Sequence, residues 1–201
     1  MLGAILGDMC GSIYERHNRK TGHPQEIELR NSRCFFTDDS VLTFAVAEAI
    51  LTDGDYRKAI IKWARKCPHA GYGGSFRCWF RDDNPEPYNS FGNGSAMRVS
   101  PIGWAFDTLQ ETLDEAKKSA ECTHNHPEGI KGAQATAAAI FLARTGKSKD
   151  NIREYIVKTF GGTNGGNCRV KAMLDGSVWT KRDHNDSNNG VKEEFLDYRL
   201  Q

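Results

Sequence analysis

The sequence predicts an all-α fold, and three observations carry that reading. Wherever apolar residues form a pattern, it is the three-and-four spacing of one helix face. Thr, Asp and Ser stand just ahead of these runs, where side-chain oxygens accept bonds from the first free backbone N–H groups of a helix. The stretches between the runs are rich in glycine and aromatic residues and too irregular for strands.

The elements follow in chain order. "GAILGDMCGSIYE" spaces Gly3, Gly7 and Gly11 four apart, with Asp8 and Glu15 interleaved. Glycine inside a helix costs roughly 1 kcal/mol, so three of them suggest close approach to another backbone or to a ligand. A helix beginning near Asp38 places Leu42, Ala45, Val46, Ala49 and Ile50 on one face. Asp55 caps "YRKAIIKWARKC", whose apolar stripe is Ile60, Trp63, Ala64 and Cys67 and which Pro68 stops. Thr112 and Glu115 have capping-box spacing and open a helix over Leu113 to Cys122.

The alanine-rich "GIKGAQATAAAIFLARTG" is expected to be central, because alanine lets helices approach closely, and Gly146 supplies its end. Thr123 or Asn125 is its expected cap. Ser148 opens "KDNIREYIVKTF", closed by Gly161. The segment from His69 to Pro101 reads as one long loop, of the kind that is often functional. Residues 162–201 change character, with much Gly and Asn, and read as a poorly ordered or loosely packed tail after a domain over 1–161.

Composition removes several classes of function. A length of 201 residues fits one domain with a real core. Lys and Arg total 27 against 26 acids, a formal charge of +1, which gives no broad field for nucleic acid or an anionic membrane. No apolar run approaches the roughly 20 residues that span a bilayer. Asp8 interrupts the N-terminus too early for a signal peptide, so a soluble, cytoplasmic protein is expected. The six cysteines form no CxxC pair, and reduced, mostly buried thiols are predicted.

The chemistry concentrates in a few short stretches. "FFTDDS" puts two carboxylates, Asp38 and Asp39, side by side. One acid suffices at a helix N-terminus, and neighbouring like charges repel. Helix capping explains one; a divalent cation held by carboxylates and by the flanking hydroxyls of Thr37 and Ser40 explains both. "SFGNGSAMRVSP" places Gly92, Asn93, Gly94 and Ser95 ahead of Met97 and Arg98, either as a plain turn or as backbone N–H groups cradling a phosphate. His124, His126 and Glu128 lack a third soft ligand, which argues against zinc.

Taken together, four blocks resemble the ADP-ribosylglycohydrolase family, of the dinitrogenase-reductase-activating glycohydrolase type: "GAILGDMCGSIYE", "FTDDS", "GNGSAMRVSPIGW" and "THNHPEGIKGAQATAAAI", with "GYGGSF" as a looser fifth. The resemblance runs over roughly Met1 to Gly161. It implies an all-α orthogonal helical bundle with a site for two Mg2+ ions that cleaves ADP-ribose from protein side chains or small acceptors.

By this resemblance Thr37, Asp38 and Asp39 are metal ligands, and Glu15, Asp38 and Asp39 form the catalytic set, Glu15 as general base. Asp8, Gly71, Gly73, Asn93, Gly94, Ser95, Met97 and His124 lie against the ligand, His124 near its diphosphate. The implied partner is an ADP-ribosylated protein or an ADP-ribose-containing small molecule, with no nucleic acid and no membrane. The family's second acidic block, Gly-Gly-Asp-x-Asp-Thr, has no counterpart here, and Asp183 and Asp186 have the wrong spacing. The C-terminal part is therefore expected to be truncated or divergent. Two outcomes are expected from that difference: an impaired magnesium-dependent hydrolase, or a non-catalytic ADP-ribose-binding or structural protein on the same scaffold.

Overall fold

The computed structural model describes residues 1–15, 28 and 31–161. The predicted tail, with Cys168, Asp183 and Asp186, lies outside the described residues. Within them every regular element is a helix: α1 (Leu2–Glu15), α2 (Asp38–Leu51), α3 (Tyr56–Lys66), α4 (Gly74–Trp79), α5 (Gly94–Met97), α6 (Ser100–Ala105), α7 (Leu109–Glu121), α8 (Pro127–Arg144) and α9 (Lys149–Phe160). None of them is long and apolar enough to cross a membrane.

Two helices organise the rest. The α2 helix packs against α1, α3, α5 and α6, and α8 packs against α5, α6, α7 and α9. The main core joins Val41, Leu42, Ala45, Val46 and Ala49 of α2 to Ile60 of α3, Ile102 of α6 and the aromatic group Tyr72, Phe76, Trp79 and Phe80. The alanines of α8 serve two sides. Ala133 and Ala137, one turn apart, enter that core, while Ala135 and Ala138 meet Ile156 and Phe160 of α9. A helix packed on opposite faces needs small side chains on both. At its crossing with α6 the approach is tighter still: a Cβ on Gly103 would lie 2.6 Å from Ile140 Cβ and 2.9 Å from the Ala137 carbonyl oxygen.

Polar bridges tie the helices where apolar packing ends. Glu48 of α2 accepts from Lys62 Nζ and from Trp63 Nε1 of α3, each at 2.5 Å. The Tyr56 hydroxyl donates to Glu115 of α7 at 2.7 Å. Arg144, in the last turn of α8, donates from Nε to the Gly103 carbonyl at 2.9 Å and from Nη2 to the Phe106 carbonyl.

Four sequence expectations need correction. Helix α7 begins one turn early, because the chain has two capping-box spacings in succession and uses Thr108 with Glu111. Thr112 is instead fully buried inside the helix, its hydroxyl donating to the Thr108 carbonyl at 2.9 Å. Helix α8 is capped by His126, whose ring Nδ1 accepts from Glu128 N, with Pro127 in the first turn. The segment from His69 to Pro101 is not one loop: α4 and α5 interrupt it and α6 begins at its end. Helices of four to six residues carry too little periodicity to be read, and tertiary contacts hold them. Of the five described cysteines, four are half-buried and Cys78 is exposed, so the thiols are free but less buried than predicted.

Replacing Thr108 with Ala removes the cap of α7 and is expected to lower unfolding free energy by about 1 kcal/mol. Gly103→Ala should cost about 1–3 kcal/mol, because the backbone carbonyl of Ala137 has no room to give. Urea titration followed by circular dichroism measures both.

Candidate active site

A single carboxylate reaches from α1 to the start of α2. Asp8 Oδ2 accepts from Thr37 N at 2.8 Å, Ser40 N at 3.2 Å and Ser40 Oγ at 2.6 Å, while Oδ1 accepts from Thr37 Oγ1 at 2.5 Å. Helix N-termini have free N–H groups, and here a side chain from another helix answers two of them. Thr37 is also the N-cap of its own helix, accepting from Asp39 N at 3.3 Å. Its one hydroxyl proton goes to Asp8, since Asp39 Oδ2 is 3.4 Å away. One turn beyond Asp8, buried Ser12 accepts from Phe35 N at 3.0 Å and so fixes the approach to the same corner.

The carboxylates that converge come from both helices. Asp8, Glu15 and Asp39 each offer an oxygen, and these three oxygens lie within 4.8 Å of one another. Asp8 and Asp39 are half-buried and Glu15 is exposed. Oxygens bound to one hard divalent cation sit about 2.0–2.6 Å from it and therefore up to about 4–5 Å apart, so an all-carboxylate set at this spacing fits such an ion. A carboxylate has about four lone-pair sites, so the three donors on Oδ2 commit that oxygen while Oδ1 keeps a site.

Asp38 takes the other side of the helix. It is 5 % exposed, and its Oδ1 lies 3.4 Å from the position a Cβ on Gly71 would take. Gly71 has φ +99°, a conformation that favours glycine, so that loop both turns and approaches Asp38 closely. Burial pushes the Tyr72 hydroxyl up from its ordinary value, with the Cys67 thiol and Asp38 adding to it, and the phenol stays neutral. Gly73 is the exposed N-cap of α4.

The second predicted group assembles around α5. Asn93 is the exposed N-cap of α5, and Met97 is half-buried at its end. The Ser95 hydroxyl donates to the Gly129 carbonyl at 2.8 Å, which pins α5 to the first turn of α8. His124 lies between: a Cβ on Gly94 would stand 2.9 Å from its Cε1, and one on Gly129 would stand 3.0 Å from its Cβ. The Tyr88 ring packs 6.1 Å from the imidazole, and burial pushes its hydroxyl up to about 12, with Arg98 pulling the other way.

Two parts of the site escaped sequence reasoning. Arg98 and Thr123 sit behind His124, and their only signal was a lone cation and a threonine inside otherwise matched blocks. Gly3, Gly7 and Gly11 show the reverse: a Cβ on any of them would meet nothing within 4 Å among the described residues.

Residues 1–195 match the model of the family described as ADP-ribosylglycohydrolase. The chain belongs to the ADP-ribosylglycohydrolase family. The family match continues past Gly161, where the resemblance read from the sequence is expected to end. The chain is 30% identical over 180 residues to "ADP-ribosylhydrolase ARH3" of Mus musculus, covering 74% of this chain and 49% of that protein. With the Homo sapiens protein of the same name the identity is 31% over 180 residues, covering 74% and 50%. It is 25% identical over 184 residues to "ADP-ribosylarginine hydrolase Tri1" of Pseudomonas putida (strain GB-1), covering 79% and 49%. This family member thus spans about half the length of the curated relatives it matches.

Replacing Asp8 with Ala strips an ionised acceptor from four donors on buried Thr37 and Ser40. A loss of about 3 kcal/mol in unfolding free energy is expected by denaturant titration, and Asp8→Asn should recover part of it.

Proposed function

We propose that this chain carries a cation site and a ligand-binding turn for removing ADP-ribose from modified protein side chains or small acceptors. The observation that carries the reading is the convergence of Asp8, Glu15 and Asp39 within 4.8 Å at the junction of α1 and α2. Three carboxylates at that spacing repel, and a divalent cation offsets the repulsion. Magnesium is the proposed ion, held by Asp39, Glu15 and Oδ1 of Asp8, with Thr37 holding Asp8 in place. When bound, it would supply charge to hold ribose hydroxyls and to acidify a water.

The chain's own groups do the remaining work. Glu15, exposed at the end of α1, is the proposed general base that takes a proton from the attacking water. Water adds at the anomeric carbon as its bond to the acceptor breaks, and the acceptor leaves with a proton. Positive charge builds on the ribose as that bond stretches, so carboxylates nearby favour the transition state over the ground state. Gly71, Gly73, Asn93, Gly94, Ser95, Met97 and His124 are proposed to line the ribose and diphosphate, the glycines by letting backbone approach the ligand. The names of the relatives, hydrolases of ADP-ribosyl groups, support this substrate class.

A second reading is a scaffold that keeps the fold without the reaction. The four donors on Asp8 favour it, because they give that acid a structural use independent of any ion.

Magnesium should raise the melting temperature of the purified chain, and a chelator should reverse the rise. Asp39→Asn should abolish the response and lower release of ADP-ribose from modified peptides about tenfold or more. A melting temperature indifferent to magnesium removes the cation site. Binding of ADP-ribose without any release, with or without the ion, supports the scaffold instead.

A further inference from the structure

Among the described residues, Arg98 is the largest side chain that is completely buried, at 0 % exposed. A guanidinium carries five donors and a permanent charge, and burying them unanswered is costly. Only Nη2 is used: it donates to the Ser119 carbonyl at 2.8 Å and to Thr123 Oγ1 at 3.0 Å. Nε and Nη1 have no hydrogen-bond partner among the described residues. The bond to Ser119 has a plain explanation, since a cation suits the carbonyls at the end of α7. The bond to Thr123 needs another.

Thr123 is also 0 % exposed, and its Oγ1 lies 2.7 Å from His124 Nδ1. A hydroxyl has one proton to give. Arg98 and His124 are the two groups bonded to this oxygen among the described residues, and Arg98 can only donate. The hydroxyl proton therefore goes to the lone pair of Nδ1. Reversing the bond, with Nδ1–H donating to the oxygen, would strand a buried O–H without an acceptor. An imidazole that accepts at Nδ1 carries its proton on Nε2. The side chain is confined at both ends: a Cβ on Gly94 would stand 2.9 Å from Cε1 of the ring, a Cβ on Gly129 would stand 3.0 Å from the His124 Cβ, and the His124 backbone N–H is held by the Ala120 carbonyl at 2.7 Å.

We infer that Arg98 is a positioning residue which, through the Thr123 hydroxyl, fixes His124 as the Nε2–H tautomer. His124 is then a hydrogen-bond donor beside Gly94, matched to an anionic oxygen such as those of a diphosphate, and not a proton acceptor. Its use on ADP-ribose rests on the function proposed above; the tautomer itself does not.

The test separates the two. In the full chain labelled with 15N-histidine and without ligand, the ring nitrogens of His124 should show the Nε2–H pattern by long-range 1H–15N correlation. Thr123→Val should lose that pattern and Thr123→Ser should keep it; Arg98→Met should lose it and Arg98→Lys should keep it, with helix content checked by circular dichroism. Calorimetry with ADP-ribose should give about tenfold weaker binding for Thr123→Val and near-parental binding for Thr123→Ser.

An Nδ1–H pattern or an imidazolium in the parent chain, or an unchanged tautomer in Thr123→Val, overturns the inference. Loss of folding in both Arg98 variants assigns that residue to stability alone and overturns its positioning role. A parent chain that holds the tautomer but does not bind ADP-ribose leaves the assignment standing and removes the substrate reading.

Discussion

The carboxylate of Asp8 closing the N-terminus of α2 is the contact on which the site depends. Helix α2 supplies five side chains to the main core, so its position is set by burial. Helix α1 has no such anchor among the described residues: Ser12 is its one buried residue there, and Leu2 and Leu6 remain exposed. What registers α1 against α2 is therefore polar and directional. Four donors converge on one carboxylate, two of them backbone groups that a helix N-terminus always leaves over. Once that bond set forms, Glu15 at the other end of α1 and Asp39 in the first turn of α2 come within reach of one another.

A second constraint is the way α5, α7 and α8 meet. Ser95 holds α5 to α8, and the turn after α7 places His124 with its ring against Gly94 and its Cβ against Gly129. The two glycines matter for steric reasons and not for backbone freedom, since neither has a positive φ. Behind the ring, the Arg98 charge lies at the carbonyl end of α7. A histidine whose ring plane and tautomer are both fixed loses little entropy on meeting a ligand oxygen.

The sequence carried much of the framework where side-chain chemistry is local. The expected caps Asp55 and Ser148 stand at the starts of α3 and α9, because each bonds a backbone N–H three residues on, whereas at α2 the cap is Thr37, just ahead of the acids expected in that role. The start of α7 was ambiguous in kind: Thr108 and Thr112 each precede a glutamate by three, and only the burial of Thr112 decides between them. Helices α4 to α6 were illegible, since the aromatic residues that hold α4 are set by distant partners and not by period. For the site, the resemblance named Asp8, Glu15, Asp39 and His124. The partner of Asp8 lies 29 residues away, a distance local spacing cannot bridge. Arg98 stayed hidden because a charged residue in a polar-looking block gives no sign of complete burial.

Successive residues on a helix point about 100° apart, and this resolves the adjacency of Asp38 and Asp39. Asp38 turns toward Gly71 and is buried there, whereas Asp39 turns toward α1 and joins Asp8 and Glu15. The two charges are neighbours in sequence and serve different surroundings in space. Capping and cation binding are then not rival uses of one motif. Thr37 and Asp8 satisfy the backbone at the start of α2, which leaves Asp39 to extend past the cap. The helix dipole that favours negative charge at this end stabilises the carboxylates, and a cation at the proposed site would meet donors already held in place. In the proposed cation site Asp8 would contribute least, because its Oδ2 is committed to three donors, and Asp39 and Glu15 would contribute most. The proposed site thus divides the labour, with one acid organising the helix junction and two left to face an ion, so that the fold would prepare the site without consuming it.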